Sequence, residues 1–199
     1  SRSVAMVYGE PATFKSFLML DYVLTLASLD MEKWFGYSIV KHARTLFVTN
    51  EGVGGLKKRV AAWLKHNQAV APEGVKVYIP KNPLWDRSTG QPVLDEIVEV
   101  ARTMGADLIV FDTLSSLFGG IGENASEDIS TITNRLAAIR NNWGISSMIV
   151  HHATKANADN YRGSSAMLGN TDEVYSIKRN ESGCTLRSKK VKDEEDWSI

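Results

Sequence analysis

Residues Gly9 to Ser16, reading GEPATFKS, constrain this chain more than any other stretch. Val4, Ala5, Met6, Val7 and Tyr8 stand before them, and Phe17, Leu18, Met19 and Leu20 follow. An apolar run dense in β-branched and aromatic residues, a Gly/Pro break, then apolar positions at helical spacing spell strand, loop, helix. In that setting a loop wraps phosphate oxygens in backbone N–H groups and aims a helix N-terminus, with its partial positive charge, at them. Measured against the pattern GxxxxGK[ST], Lys15 would reach the β- and γ-phosphate oxygens and the Ser16 hydroxyl would hold Mg2+. Phe14 stands where the pattern has its second glycine. A residue with a Cβ alters the loop there, and its ring has two directions open to it, towards a base or towards a neighbouring strand.

Length and composition bound the rest. The chain has 199 residues, 43% hydrophobic and 23% charged, which predicts one α/β domain over 1–199 with a sizeable core. It contains no run of about 18 apolar residues, so no membrane span is expected. Ser1, Arg2 and Ser3 lead almost at once into the first strand without a Met, as in a domain cut from a longer chain or one whose start is not shown. Cys184 is the only cysteine, which excludes an intrachain disulfide or a cysteine-based zinc cluster and makes a reducing, cytoplasmic setting the default. Lys plus Arg and Asp plus Glu both total 23. With net charge zero, any contact with nucleic acid must come from local patches.

The remaining elements follow from periodicity. A helix is predicted from Lys15 to about Leu29, then an irregular link over 30–42 carrying Trp34, Phe35 and Tyr37 as a packed loop. A buried strand over Thr45–Thr49 ends at Asn50, Glu51 and Gly52. A helix over Leu56–Gln68 carries Lys57, Lys58, Arg59 and Lys65, a cluster that reads as a solvated face. A strand over Val75–Ile79, a loop over 80–92 and a helix from about Val93 to Met104 lead to the most apolar strand, Asp107–Asp112. Thr113–Ser126 reads as a long loop, Ser126–Trp143 as a helix closed by Gly144, and Ser147–Val150 as a strand ending in His151 and His152. A polar loop to about Asn170 precedes a hairpin of Glu173–Arg179 and Cys184–Lys192. Strands alternating with helices predict a mostly parallel sheet covered on both faces, with the hairpin at one edge. Ligands sit at the carboxyl ends of such strands, where the phosphate loop, Glu51, Asp112, His151 and His152 all fall.

These residue types suit one chemistry. Asp112, presented by a rigid apolar strand, serves as the second Mg2+-organising group beside Ser16. Glu51 is placed as a general base for an attacking water. His151 and His152 offer a γ-phosphate contact, but adjacent strand residues face opposite ways, so one of them reaches the site, and His152 is favoured.

GEPATFKSFLMLD, then LFVTNEGVGGLKKRVAAW, then LIVFDTLSSLFGGIGENASEDI, then MIVHHATK with YRGSSAM, together resemble the RepA-like branch of the RecA-type P-loop ATPases, the hexameric replicative helicases of plasmids and phages. The resemblance covers nearly the whole chain. It implies a RecA-like core that hydrolyses ATP with Mg2+ in a homo-oligomeric ring, a hexamer, around single-stranded DNA, in a bacterial cell. Gly9, Glu10, Pro11, Ala12, Thr13, Phe14, Lys15, Ser16 and Phe17 would contact the nucleotide. Asp112 would be the Walker B carboxylate, Glu51 the catalytic glutamate and His152 the γ-phosphate sensor. Stretches after Thr113 and Ala153 would meet DNA, with Lys155 and Arg162 on phosphates. The arginine finger of plasmid members is absent, since Asp172 falls at its position, leaving Arg162, Lys190 or Lys192 as the trans-acting cation. Two rivals remain: a recombinase-like or regulatory DNA-binding ATPase that does not unwind, and a non-hydrolysing nucleotide-binding scaffold.

Overall fold

The computed structural model describes residues 2–119, 126–154, 157–161, 169–181 and 183–191. Strand β1 (Val4–Gly9) is buried along its whole length and opens through the phosphate loop into helix α1 (Lys15–Ala27). Strands β4 (Thr45–Thr49) and β8 (Leu108–Asp112) are likewise fully buried apolar runs. This is the composition of strands covered on both faces, where alternation disappears. With β5 (Val75–Tyr78), β9 (Ser146–Thr154), β10 (Asn157–Tyr161), β11 (Glu173–Asn180) and β12 (Gly183–Val191) they make an eight-stranded sheet, in the order β12-β11-β1-β9-β8-β4-β5, with β10 paired to β9. Neighbours from β11 to β5 run parallel, while β12 and β10 run antiparallel to their partners. The expected doubly covered RecA-like sheet with a C-terminal antiparallel pair is what the chain forms. Within that pair β11 joins the parallel set and β12 alone turns back.

Alternating side chains divide the core into two layers. Ala5, Val7, Phe47, Val110 and Val150 meet α1 and α2 (Val53–Asn67), while Met6, Tyr8, Val48, Phe111 and Ile149 meet α3 (Asp95–Thr103), α4 (Leu114–Leu117) and α5 (Ser126–Trp143). The register Val7↔Val150 and Asp112↔Val150 puts Asp112 in the same layer as α1 and α2. His152, two residues on from Val150, follows it there.

Several boundaries move. Helix α2 starts at Val53, earlier than the apolar periodicity suggests, because Gly52 at φ 61 turns the chain directly into it. The aromatic link holds the ribbon β2–β3 (Lys33–Trp34 with Tyr37–Ser38), and the stretch expected as a loop holds β6–β7 (Trp85–Asp86 with Gln91–Pro92), with Trp85 in the core. Residues 114–117, expected as loop, are α4, capped at both ends of its first turn by Thr113 and Ser116 in a capping box. Strand β9 runs on past His152 to Thr154 to pair with β10. Asp172, at the arginine-finger position of the family pattern, lies instead at the start of β11. There it accepts from the Val4 N–H at 2.9 Å and from Arg140 at 2.5 Å, a structural tie between β1 and α5.

One carboxylate organises the α1–α2 layer. Asp21 on α1 accepts from Trp34 Nε1 at 2.6 Å and Trp63 Nε1 at 2.7 Å, joining α1, the β2–β3 ribbon and α2. Without it, two indole N–H groups lose their acceptor, one of them on the buried Trp63. Asp21→Ala is therefore expected to cost about 2–3 kcal/mol in denaturant unfolding, with a shift in tryptophan emission before the main transition. A loss under about 0.5 kcal/mol would remove this clamp from the account.

Candidate functional site at the strand ends

The sheet order places the candidate residues side by side. Gly9 ends β1, His152 lies near the end of β9, Asp112 ends β8, and Glu51 follows β4, on strands about 4.8 Å apart. A cleft of about 420 Å³ opens there, lined by the loop from Pro11 to Phe17 and by Glu51, Gly52, Arg59, Thr113, His152 and Arg179.

The loop itself is built for an anion. Ala12 and Phe14 both take left-handed backbone conformations, φ 61 and φ 66. Successive backbone N–H groups in such turns converge into an anion-binding concavity. Phe14 thus adopts the conformation that glycine supplies in the usual pattern, at a cost of about 1–2 kcal/mol. Its ring turns towards β11, where Arg179 lies over it at 5.3 Å, and meets Phe17 edge-on at 6.2 Å. Helix α1 has no side-chain N-cap and no acidic residue in its first turn, so its positive end is left for a ligand. Gly9 is the glycine that space requires: a Cβ there would come within 2.4 Å of the Ile177 carbonyl oxygen on β11.

Lys15 is 5% exposed and donates to the Gly9 and Glu10 carbonyls at 2.8 and 2.6 Å. Burial lowers its pKa to about 8, against the opposing charges of Asp112, Glu51 and Glu10. The Ser16 hydroxyl donates to Asp112 Oδ1 at 3.0 Å. Burial and the nearby Glu51 charge raise the Asp112 pKa to about 6, while the Ser16 hydrogen bond, Lys15 and Arg59 pull the other way. A hydroxyl and a carboxylate at this distance are the hard oxygen donors that Mg2+ takes, so the pair fits the ion, which would displace their mutual hydrogen bond.

Glu51 is exposed to the cleft and accepts from Thr113 Oγ1 at 3.2 Å. The peptide joining Asp112 to Thr113 is cis. His152 lines the cleft, whereas His151 is 1% exposed and faces the opposite layer with Tyr8. The structure does not bring His151 to the nucleotide cleft, because one step along a strand reverses the face. Lys190 also lies away from it. Paired opposite Val174 near the start of β11, it donates to the Thr171 carbonyl at 2.5 Å. Arg162, Lys192 and Lys155 fall outside the described residues, as does Ser126's side chain.

Two cations of the cleft escaped the sequence reading. Arg59, read as part of a solvated face, reaches back one helical repeat to donate to the Gly52 carbonyl at 2.8 Å and lies over the Phe17 ring at 5.0 Å. Its spacing of seven from Gly52 was the available signal. Arg179 arrives because Ile177 pairs with Gly9, a register no local pattern announces.

Fold and site together define a RecA-type P-loop ATPase. The chain belongs to the AAA domain family, whose model matches residues 1–158. Among solved structures, it is similar to the KaiC-like protein of the hyperthermophilic archaeon Pyrococcus horikoshii OT3, at TM-score 0.61 and 12% identity, covering 98% of this chain and 84% of that one. No curated protein matches the sequence. Among the described residues no helix is long and apolar enough to cross a membrane.

The Asp112 shift has a direct consequence. A carboxyl whose folded pKa lies above its unfolded value binds more protons folded than unfolded between about 4 and 6, so stability falls as pH rises through that window. In metal-free buffer at pH 7.5, Asp112→Asn is expected to be more stable than the parent by about 2 kcal/mol, a gain of several degrees in Tm. The gap should close by pH 4. An asparagine variant less stable at pH 7.5 would show that Asp112 is not held at a cost.

Proposed function

We propose that this chain is the ATP-hydrolysing motor domain of a ring-forming DNA helicase or translocase, stimulated by single-stranded DNA and acting in replication. The observation that carries the ATPase chemistry is the meeting of Lys15, the Ser16–Asp112 pair, Glu51 and His152 in one cleft at adjacent strand ends. Lys15 releases the Gly9 and Glu10 carbonyls and donates to the β- and γ-phosphate oxygens. Ser16 Oγ and the Asp112 carboxylate would hold Mg2+, which would supply positive charge to the phosphates when bound. Glu51 takes a proton from the water that attacks the γ-phosphorus as the bond to the bridging oxygen breaks and ADP leaves. Arg59 and Arg179 add positive charge from the same chain, whether or not a neighbour in the ring supplies Arg162, Lys190 or Lys192.

The DNA task rests on the order and identity of the four sequence motifs. One feature of the fold supports it: His152, which lines the cleft, lies on the strand that continues into the β9–β10 pair. A contact made or lost at His152 is thus felt in that hairpin. Phe14 adopts the left-handed conformation that glycine supplies in the usual pattern, which supports the hydrolysing reading over a non-hydrolysing scaffold.

Phosphate release with and without single-stranded DNA tests the reading. Lys15→Ala is expected to reduce turnover by about 100-fold or more. Glu51→Gln should bind ATP with near-parent affinity and hydrolyse it about 100-fold more slowly. Normal hydrolysis by Glu51→Gln would remove Glu51 as the base. On a forked duplex with ATP the parent should separate the strands. Tight single-strand binding with the fork left intact would favour the recombinase-like or clamping reading instead.

A further inference from the structure

The turn that carries Glu51 is tied at two points to a segment the catalytic scheme does not use. Asn50 Nδ2 donates to the Ser116 carbonyl at 2.8 Å, and Glu51 Oε1 accepts from Thr113 Oγ1 at 3.2 Å. Thr113 is 2% exposed and is also the N-cap of α4. Its hydroxyl lies near Glu51 Oε1, Ser115 Oγ at 3.3 Å and Ser116 Oγ at 3.1 Å, but it has only one proton to give.

The surrounding bonds decide where that proton goes. Ser116 Oγ donates to the Thr113 carbonyl at 3.1 Å and accepts from the Thr113 N–H at 3.2 Å. The Ser116 N–H points to Thr113 Oγ1 at 3.4 Å. In this arrangement the capping box satisfies its own donors, and the Thr113 proton is left for the carboxylate. A charged acceptor makes the stronger hydrogen bond, which favours the same assignment. The bond occupies Oε1 of a carboxylate that is otherwise exposed on a turn and lines the cleft, so its rotation is restricted.

We propose that Thr113 is the positioning residue of the general base: its hydroxyl orients the Glu51 carboxylate and couples it to the first turn of α4. This rests on the reading of Glu51 as base. Displacement of α4's first turn withdraws both the Thr113 hydroxyl and the Asn50 anchor, and so releases the base. Retention of the turn keeps Glu51 aimed at the water. The effect is on the hydrolytic step, since neither group lies in the loop that binds the phosphates.

The experiment is steady-state ATP hydrolysis and nucleotide affinity in Thr113→Val, Thr113→Ala, Thr113→Ser and Ser116→Ala, with folding checked by circular dichroism. Removing the hydroxyl with Val or Ala is expected to lower kcat by about 10- to 100-fold while KM and affinity for ATP stay within about threefold. Thr113→Ser should recover kcat to within about threefold of the parent. Ser116→Ala, which weakens the α4 cap but keeps the Thr113 hydroxyl and the Ser116 carbonyl that anchors Asn50, should lose thermal stability and lose clearly less kcat than Thr113→Val. Equal kcat losses in Ser116→Ala and Thr113→Val would assign the effect to the helix cap and overturn the proposal. So would a Thr113→Val or Thr113→Ala enzyme with parent kcat, or a loss confined to KM. Normal hydrolysis by Glu51→Gln would instead defeat the assignment of Glu51 on which this rests, and a parent that shows no hydrolysis would defeat the ATPase reading, both separate outcomes.

Discussion

Two opposite charges far apart in the chain but buried at the same end of the sheet, yet each held by neutral partners, set the character of this molecule. Lys15 is tied to backbone carbonyls and Asp112 to a serine hydroxyl, so neither charge is fully answered within the protein. Both pKa values move towards the neutral form for that reason, Lys15 down and Asp112 up, with burial the largest cause in each. Burial of that kind is unfavourable by a few kcal/mol per ion. Under the proposed function, a triphosphate carrying its metal ion would reverse it by offering the lysine an anion and the aspartate a cation. The fold around them, a sheet whose strands β1, β4 and β8 are buried throughout and which carries helices on both faces, is what keeps water from neutralising this difference in advance.

The phosphate loop shows how a rigid surrounding tolerates a residue that local propensity argues against. Phenylalanine is poorly suited to a left-handed backbone, and two such turns within three residues, at Ala12 and Phe14, add to the cost. Hydrogen bonds on both sides determine the loop: Thr13 Oγ1 to the Glu10 carbonyl at 2.8 Å, and the Leu18 N–H to the Phe14 carbonyl at 2.9 Å. The ring gains contact with Phe17 and Arg179 that a glycine would not make, at the mouth of the cleft. Those contacts offset part of the backbone strain and change the chemistry of the wall, from bare backbone to an aromatic face flanked by guanidinium groups.

What could be read from the sequence follows the range of the forces involved. The buried strands β1, β4 and β8 are local apolar runs, and the phosphate loop is a contiguous motif, so both were legible along with the carboxylates closing β4 and β8. The choice of His152 over His151 needed only the alternation of a strand, and His152 does line the cleft. Arg59 and Arg179 were not legible in the same way. One curls back along its helix towards Gly52, and the other depends on β11 lying beside β1, a pairing across more than 160 residues of chain. The ribbons β2–β3 and β6–β7 were missed because each is only two residues per strand, too short for any periodicity to declare. Helix α4 was hidden by its length, though its capping box, Thr113 with Ser116, is written in the sequence.

The strand order carries the last step. β9 lies between β1, which presents the phosphate loop, and β8, which presents Asp112, and β4 with Glu51 lies beyond β8. A γ-phosphate seated on the loop would therefore face groups from strands that are hydrogen-bonded neighbours along their lengths. The freedom left to the site resides in what leaves the strand ends: the turn after β4, the α4 segment after β8, and the β9–β10 pair. Of these, the first two are bound to each other through Asn50, Glu51, Thr113 and Ser116. Under the proposed function, a signal generated at the γ-phosphate would therefore have two routes out of the site, one through Glu51 and α4, the other through His152 and β10.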